Sequence, residues 1–211
     1  MVSLKHKAYE IIKENIISCR YAPGEFLNEA DLMEEIGTSR TPIREALNKL
    51  EQEKLVRIVP KKGIMTSELT LKEINDVYQV RIMLEPQLVR LWGSNIPVEE
   101  LEVFRTKLIQ FNPMTDLKER YELNDYLHRT IIKHCQNTYF NEWMCLIYGQ
   151  NRRIGVITGQ VDVWLEQNNA DHLKITEYLL LGEYETAAVL LQQHLEHAKK
   201  VTFDCLLKNG M

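Results

Sequence analysis

Paired cysteines are missing from this chain. The four present, Cys19, Cys135, Cys145 and Cys205, form no CxxC pair and follow no regular spacing, which argues against a disulfide framework or a thiolate zinc site and fits reduced, buried thiols in a cytoplasm. Long apolar runs are missing too. No stretch reaches the roughly eighteen residues that span a bilayer, and the opening MVSLKHKAYEIIKENII mixes Lys and Glu among its apolar positions, so neither a signal peptide nor a membrane helix is expected. There is no internal repeat and no low-complexity tract. HExxH, a Ser-His-Asp order and a glycine-rich phosphate loop are all absent, which removes the commonest starting points for an enzyme.

What remains is a chain of 211 residues, 45% hydrophobic, with enough apolar content for two small packed domains. Its net charge of -4 argues against nucleic acid only as an average, because distribution matters more than the total. From Thr38 to Thr66 seven basic residues (Arg40, Arg44, Lys49, Lys54, Arg57, Lys61, Lys62) face three acidic ones (Glu45, Glu51, Glu53). Residues 67 to 211 hold fifteen basic and twenty acidic side chains. The basic footprint is local.

Ala8, Ile11, Ile12, Ile16 and Ile17 recur at helical spacing between Lys5 and Cys19, and Tyr21-Ala-Pro-Gly24 stops that helix. A second helix is expected over Glu29–Ile36, ended by Gly37 in a left-handed position. A third starts at Arg40, capped by Ser39 or Thr41, with Pro42 in its first turn. Leu55–Val59 and Ile64–Ser67 read as two short strands joined by Pro60-Lys-Lys-Gly63, a hairpin with a basic tip. Three helices and a hairpin make a winged helix-turn-helix. Thr70-Leu-Lys-Glu73 is a capping box that opens a new helix, so a boundary is expected near Ser67–Thr70, giving domains 1–69 and 70–211. Beyond it, six helical segments over roughly 71–92, 98–111, 115–135, 138–158, 170–181 and 183–208 predict an antiparallel bundle. The fold class is mainly α.

A helix-turn-helix lays its second helix in the major groove, where the side chains at the N-terminal end meet base edges. Arg40, Thr41 and Arg44 stand at that end, the two arginines four residues apart on one face. A bidentate arginine on guanine contributes about 1–3 kcal/mol of discrimination. Lys61, Lys62 and Gly63 form the wing tip, within reach of the minor groove or the backbone. Double-stranded operator DNA is the expected partner. One such module offers few contacts, so a homodimer on a two-fold related site is expected.

In the helical half, Asn124 and His128 project from one helical face, while His172 and His194 come from the last two helices. Three imidazoles and one oxygen donor suit zinc, with nickel or manganese as other divalent candidates, although six histidines give several chance triplets. His197 is a rival to His194, and His6 and His134 read as surface or satisfied core residues. Arg81, Arg152 and Arg153 either meet an anionic effector or form salt bridges between helices.

Leu27-Asn-Glu-Ala-Asp-Leu32, Gly37-Thr-Ser-Arg-Thr-Pro-Ile-Arg-Glu-Ala-Leu47 and Leu50-Glu-Gln-Glu-Lys-Leu-Val56 together resemble the DNA-binding signature of GntR-type regulators. The resemblance implies that Arg40 and Arg44 contact the operator, with Thr41 and Gly63 beside them. Ala30 departs from it, standing where some members carry another DNA-contacting arginine. Residues 71 to 208, through Asn124-x3-His128, His172, His194 and Arg81-Ile-Met-Leu-Glu85, resemble the FCD effector domain of the FadR-like branch, in its shorter VanR-type form. That resemblance implies a metal ion at Asn124, His128, His172 and His194, and a neutral donor set of this kind favours a small organic acid at an open position. Asn124 departs from the commoner aspartate. The resulting expectation is a cytoplasmic, ligand-responsive repressor. A metal-responsive repressor and, further off, a helical metalloenzyme are the alternatives.

Overall fold

The computed structural model describes residues 3–112, 117–158 and 164–208. By contacts the chain forms two compact units: Met1–Glu73 with Tyr148–Ile157, and Ile74–Ile147 with Thr158–Met211.

In the first unit, α1 (Leu4–Ile17), α2 (Glu29–Ile36) and α3 (Arg40–Gln52) close on one apolar core, because each carries its aliphatic residues on a single face. Ala8, Ile12, Ile16, Ile43, Ala46 and Leu50 are wholly buried there. Gly37 ends α2 at φ 69°, the left-handed value its position requires. Ser39 is the N-cap of α3, but its side chain makes no capping bond, and Thr41 lies inside the helix. The wing strands β2 (Val56–Val59) and β3 (Gly63–Thr66) pair antiparallel with Val56 opposite Thr66 and Val59 opposite Gly63. A two-residue strand, β1 (Phe26–Leu27), adds to the other edge of β3 and gives the order β1-β3-β2. Sequence pattern misses this strand because two residues carry no period. Thr70 and Glu73 form the expected capping box: Glu73 N–H donates to Thr70 Oγ1 at 3.2 Å, and Thr70 N–H to Glu73 Oε2 at 2.8 Å.

The later helices are α4 (Leu71–Trp92), α5 (Val98–Ile109), α6 (Leu117–Lys133), α7 (Thr138–Thr158), α8 (Leu165–Leu180) and α9 (Tyr184–Lys208), with a 3-10 turn at Gly93–Asn95. Wholly buried Tyr78, Phe104, Leu127, Leu191 and Leu195 belong to the second unit's core. Tyr78 and Thr202 join α4 to α9 through a buried 2.7 Å hydroxyl pair. Helix α8 begins five residues before the expected 170. Asparagine side chains compete with helix formation, yet Asn168 is buried and Asn169 donates to the Leu108 carbonyl at 3.0 Å, so tertiary contacts override local preference. Residues 148–157 of α7 group with the first unit, where Gln150 donates to the Lys54 carbonyl at 3.2 Å and Arg152 pairs with Glu14 at 3.1 Å.

Candidate functional site

Helix α3 and the wing frame an open groove of about 850 Å³ lined by Glu29, Arg44, Asn48, Lys61 and Lys62 among others. Arg40 and Arg44 present exposed side chains on one face of α3. Thr41, Lys61, Lys62 and Gly63 are exposed as well. The tip turns sharply through Lys61 at φ 63° and Gly63 at φ 113°, so the two lysines sit at the apex of the hairpin. Asn48, one turn beyond Arg44, lines the groove too, and its i+8 spacing from Arg40 was the available signal. The arginines do not stand alone. Arg44 Nε donates to Glu29 Oε1 at 2.9 Å and Oε2 at 3.1 Å, and Arg40 Nε lies 3.2 Å from Oε2.

In the second unit, α6, α8 and α9 bring His128, His172 and His194 together, all three buried. His172 Nε2 lies 3.2 Å from His128 Nε2 and 3.2 Å from His194 Nε2. The outer nitrogens of two rings meet carboxylates: His128 Nδ1 is 2.6 Å from Glu85 Oε2, and His194 Nδ1 is 3.3 Å from Asp171 Oδ2. An ionised carboxylate only accepts, so each of these rings carries its proton on Nδ1 and turns an Nε2 lone pair to the centre. Glu85 also accepts from Arg81 Nε at 2.7 Å, a pair almost wholly out of water. Burial holds His194 down at about 4, outweighing the nearby Asp171 carboxylate. Burial, followed by the neighbouring His194, His128 and Arg81, holds His172 well below its usual range. Neutral imidazoles with inward lone pairs are metal-binding groups.

The dimensions fit an ion. Metal–nitrogen bonds of about 2.0–2.1 Å in a tetrahedron separate ligand nitrogens by about 3.3 Å, close to the 3.2 Å spacing here. Carboxylates behind the ligand histidines fix ring orientation and raise basicity. Glu85 and Asp171 take that part, and sequence reading gave it to neither: Glu85 lies 43 positions from His128, a separation no helical period reveals. Asn124 sits one turn before His128, half-buried, with its amide nitrogen 3.4 Å from Asp125 Oδ1. His197 is exposed, its ring tilted against Trp164 with centroids 5.0 Å apart, and His194 is the residue that joins the centre. His134 pairs with Glu100, and His6 with Glu10.

The structure divides the three arginines. Arg81 stands behind the imidazoles through Glu85. Arg152 and Arg153 belong to the first unit, where Arg152 pairs with Glu14 and buried Arg153 donates to the Ser67 carbonyl and to Gln150 Oε1. Arg152 thus makes an ion pair and Arg153 makes hydrogen bonds to neutral groups, with its Nε buried and unpartnered.

Residues 4–65 match the model for bacterial regulatory proteins of the gntR family, and residues 76–197 match the FCD domain. The chain is 26% identical over 193 residues to the uncharacterized HTH-type transcriptional regulator YdhC of Bacillus subtilis, covering 90% of this chain and 86% of that one. It is 27% identical over 184 residues to the Nta operon transcriptional regulator of Aminobacter aminovorans, covering 85% of each. A 134-residue match at 34% identity, 61% of this chain and 54% of the other, links it to the gluconate operon transcriptional repressor of Bacillus licheniformis. The fold superposes on E. coli McbR/YncC with a TM-score of 0.83 at 19% identity, covering 97% of this chain and 99% of that one. These relatives are regulators, not enzymes. With a winged helix-turn-helix ahead of an FCD domain, the chain belongs to the gntR family of bacterial regulatory proteins and is a transcriptional regulator.

Proposed function

We propose that this regulator is a cytoplasmic repressor, working as a homodimer, whose helical unit binds a small carboxylate through a divalent ion, zinc first and nickel or manganese next. The observation that carries the proposal is the convergence of three buried Nε2 atoms, two of them on rings oriented by carboxylates. His128, His172 and His194 hold the ion, and Asn124 supplies a neutral oxygen from the turn before His128. Four neutral ligands leave the ion's charge uncompensated, and such an ion attracts an anion to an open position. Arg81 adds positive charge from behind. Six helices between residues 71 and 208, among the described residues, support the shorter VanR-type form, and the repressor named among the relatives supports repression. Arg40, Thr41 and Arg44 read the operator, with Lys61, Lys62 and Gly63 at its flank. Effector binding shifts the dimer between arrangements that differ in operator affinity, by the 5–150-fold (about 1–3 kcal/mol) typical of such coupling.

The test is elemental analysis of the parent, His128→Ala and His194→Ala after zinc loading, followed by operator release on titration with small carboxylates. The parent retains about one ion per chain and the variants lose both the ion and the response. A parent that takes up no ion, or variants that respond normally, would overturn the sensor. Release by zinc alone, unaffected by any carboxylate, would make the ion itself the signal.

A further inference from the structure

We infer that Glu29 is the positioning residue of the DNA-reading surface: one carboxylate that orients Arg40 and Arg44 together and so sets sequence preference without touching a base. This rests on the reading of α3 as the recognition helix. Glu29 is the first residue of α2, whose N-terminus is fixed by Asn28 Oδ1 accepting from Ala30 N–H at 2.8 Å. From there its carboxylate takes the Nε–H of Arg44 with both oxygens and lies 3.2 Å from Arg40 Nε. Its side chain is 22% exposed, whereas those of Arg40 and Arg44 are 62% and 60% exposed, so the acid lies behind the bases and not beside them.

A guanidinium has five N–H donors in one plane, and a guanine edge uses two of them. With Nε engaged by Glu29, the Nη end of each arginine is left to meet a base edge. Free of that anchor, two long side chains of like charge one helical turn apart repel each other and sample many rotamers. An exposed ion pair adds little to stability, so fold maintenance is a poor account of this arrangement. The same carboxylate opposes the approach of phosphates, which weakens binding to DNA of any sequence. Glu29 thus trades general affinity for discrimination.

The experiment uses the full chain and two duplexes of equal length, one enriched from a randomised pool by the parent and one of random sequence, with binding followed by fluorescence anisotropy at matched salt. Glu29→Gln is expected to bind the random duplex roughly 3-fold or more tightly, since one repelling charge is gone. Its preference for the enriched duplex should fall about 10-fold, within the range set by loss of one bidentate arginine contact. Glu29→Asp keeps the charge but is one carbon too short to reach both arginines; it should lose preference with no gain on the random duplex. The effect of Glu29→Gln on preference should not survive in an Arg40→Ala/Arg44→Ala background. An unchanged preference in Glu29→Gln, or an equal drop in that background, overturns the inference. If Arg40→Ala and Arg44→Ala themselves leave preference intact, the reading of α3 fails and this inference with it; if they abolish it and Glu29→Gln does not, only the role of Glu29 is lost.

Discussion

Replacing Glu85 by Gln removes one charge from the centre of the helical unit and changes almost no volume. The parent carboxylate is fully buried and accepts from Arg81 Nε at 2.7 Å and His128 Nδ1 at 2.6 Å. Only 4% of the Arg81 side chain meets solvent, so the variant leaves a guanidinium in a low dielectric without the carboxylate it pairs with. Removing one partner of a buried ion pair costs about 3–5 kcal/mol. The glutamine oxygen still accepts one hydrogen bond, which places Glu85→Gln at the lower end, about 3 kcal/mol. Trp92, Trp143 and Trp164, all the tryptophans of the chain, lie in the second unit. Their fluorescence during urea unfolding of the chelator-treated protein therefore follows that unit. With a urea slope of about 1–3 kcal/mol per molar, the midpoint falls by about 1–3 M. Adding Arg81→Met to Glu85→Gln should recover about 2 kcal/mol, because the charge that Glu85 balanced is then gone. A loss below about 1 kcal/mol, or an Arg81→Met whose own cost simply adds to the first, refutes the pairing as the source of stability.

The other predictions concern operator contact and acid. Arg40→Ala and Arg44→Ala should each cost about 1–3 kcal/mol of operator affinity in gel-shift titrations, whereas Lys62→Ala weakens binding to all sequences and lowers the salt slope by about 1. Variants that bind the operator like the parent at matched salt would rule out this recognition surface. Acid should loosen the metal-free second unit, because burial holds His194 at about 4 against its ordinary 6.5, so the unfolded chain binds more protons between those values. Stability is complete above that ordinary value and is lost as pH falls through the folded one, by about 2 kcal/mol at pH 5 from His194, with His172 acting in the same direction. Urea midpoints at pH 7.5 and pH 5 measure this, and an equal pH dependence in His194→Gln would count against it.

Local chemistry made the first unit legible. Gly37, the Thr70–Glu73 capping box and the basic hairpin tip each meet a requirement satisfied within a few residues, and each stands as read. The two-residue β1 and the early start of α8 escaped because β3 and Leu108, distant in sequence, settle them. The histidines of the second unit could be named from spacing and resemblance, since each sits on a confidently periodic helix. Their carboxylate partners could not. Asp171 is adjacent in sequence to His172 yet pairs with His194, 23 residues away, and only the packing of α8 against α9 reveals which ring it serves. Arg152 and Arg153 show the same limit, because one basic pair on a helix serves an effector pocket or structural pairing equally well until its neighbours are known.

The histidine centre also holds a ring that hydrogen bonds alone do not satisfy. Buried polar groups are nearly always hydrogen-bonded, and here no placement of its one proton satisfies His172. His128 and His194 spend their protons on Glu85 and Asp171, so both turn lone pairs inward. His172 has one proton for two nearby acceptors, and its Nδ1 is buried without a hydrogen-bond partner. If the proton is on Nε2, Nδ1 is an orphan acceptor; if it is on Nδ1, three lone pairs converge and the N–H is an orphan donor. A cation at the convergence point takes up the three lone pairs of the second arrangement, leaving only the Nδ1–H of His172 to be met. A local inconsistency of this kind is where a functional site is expected. An ion held there would add to the stability of the second unit, so zinc should raise the urea midpoint of the parent and leave that of His128→Ala unmoved.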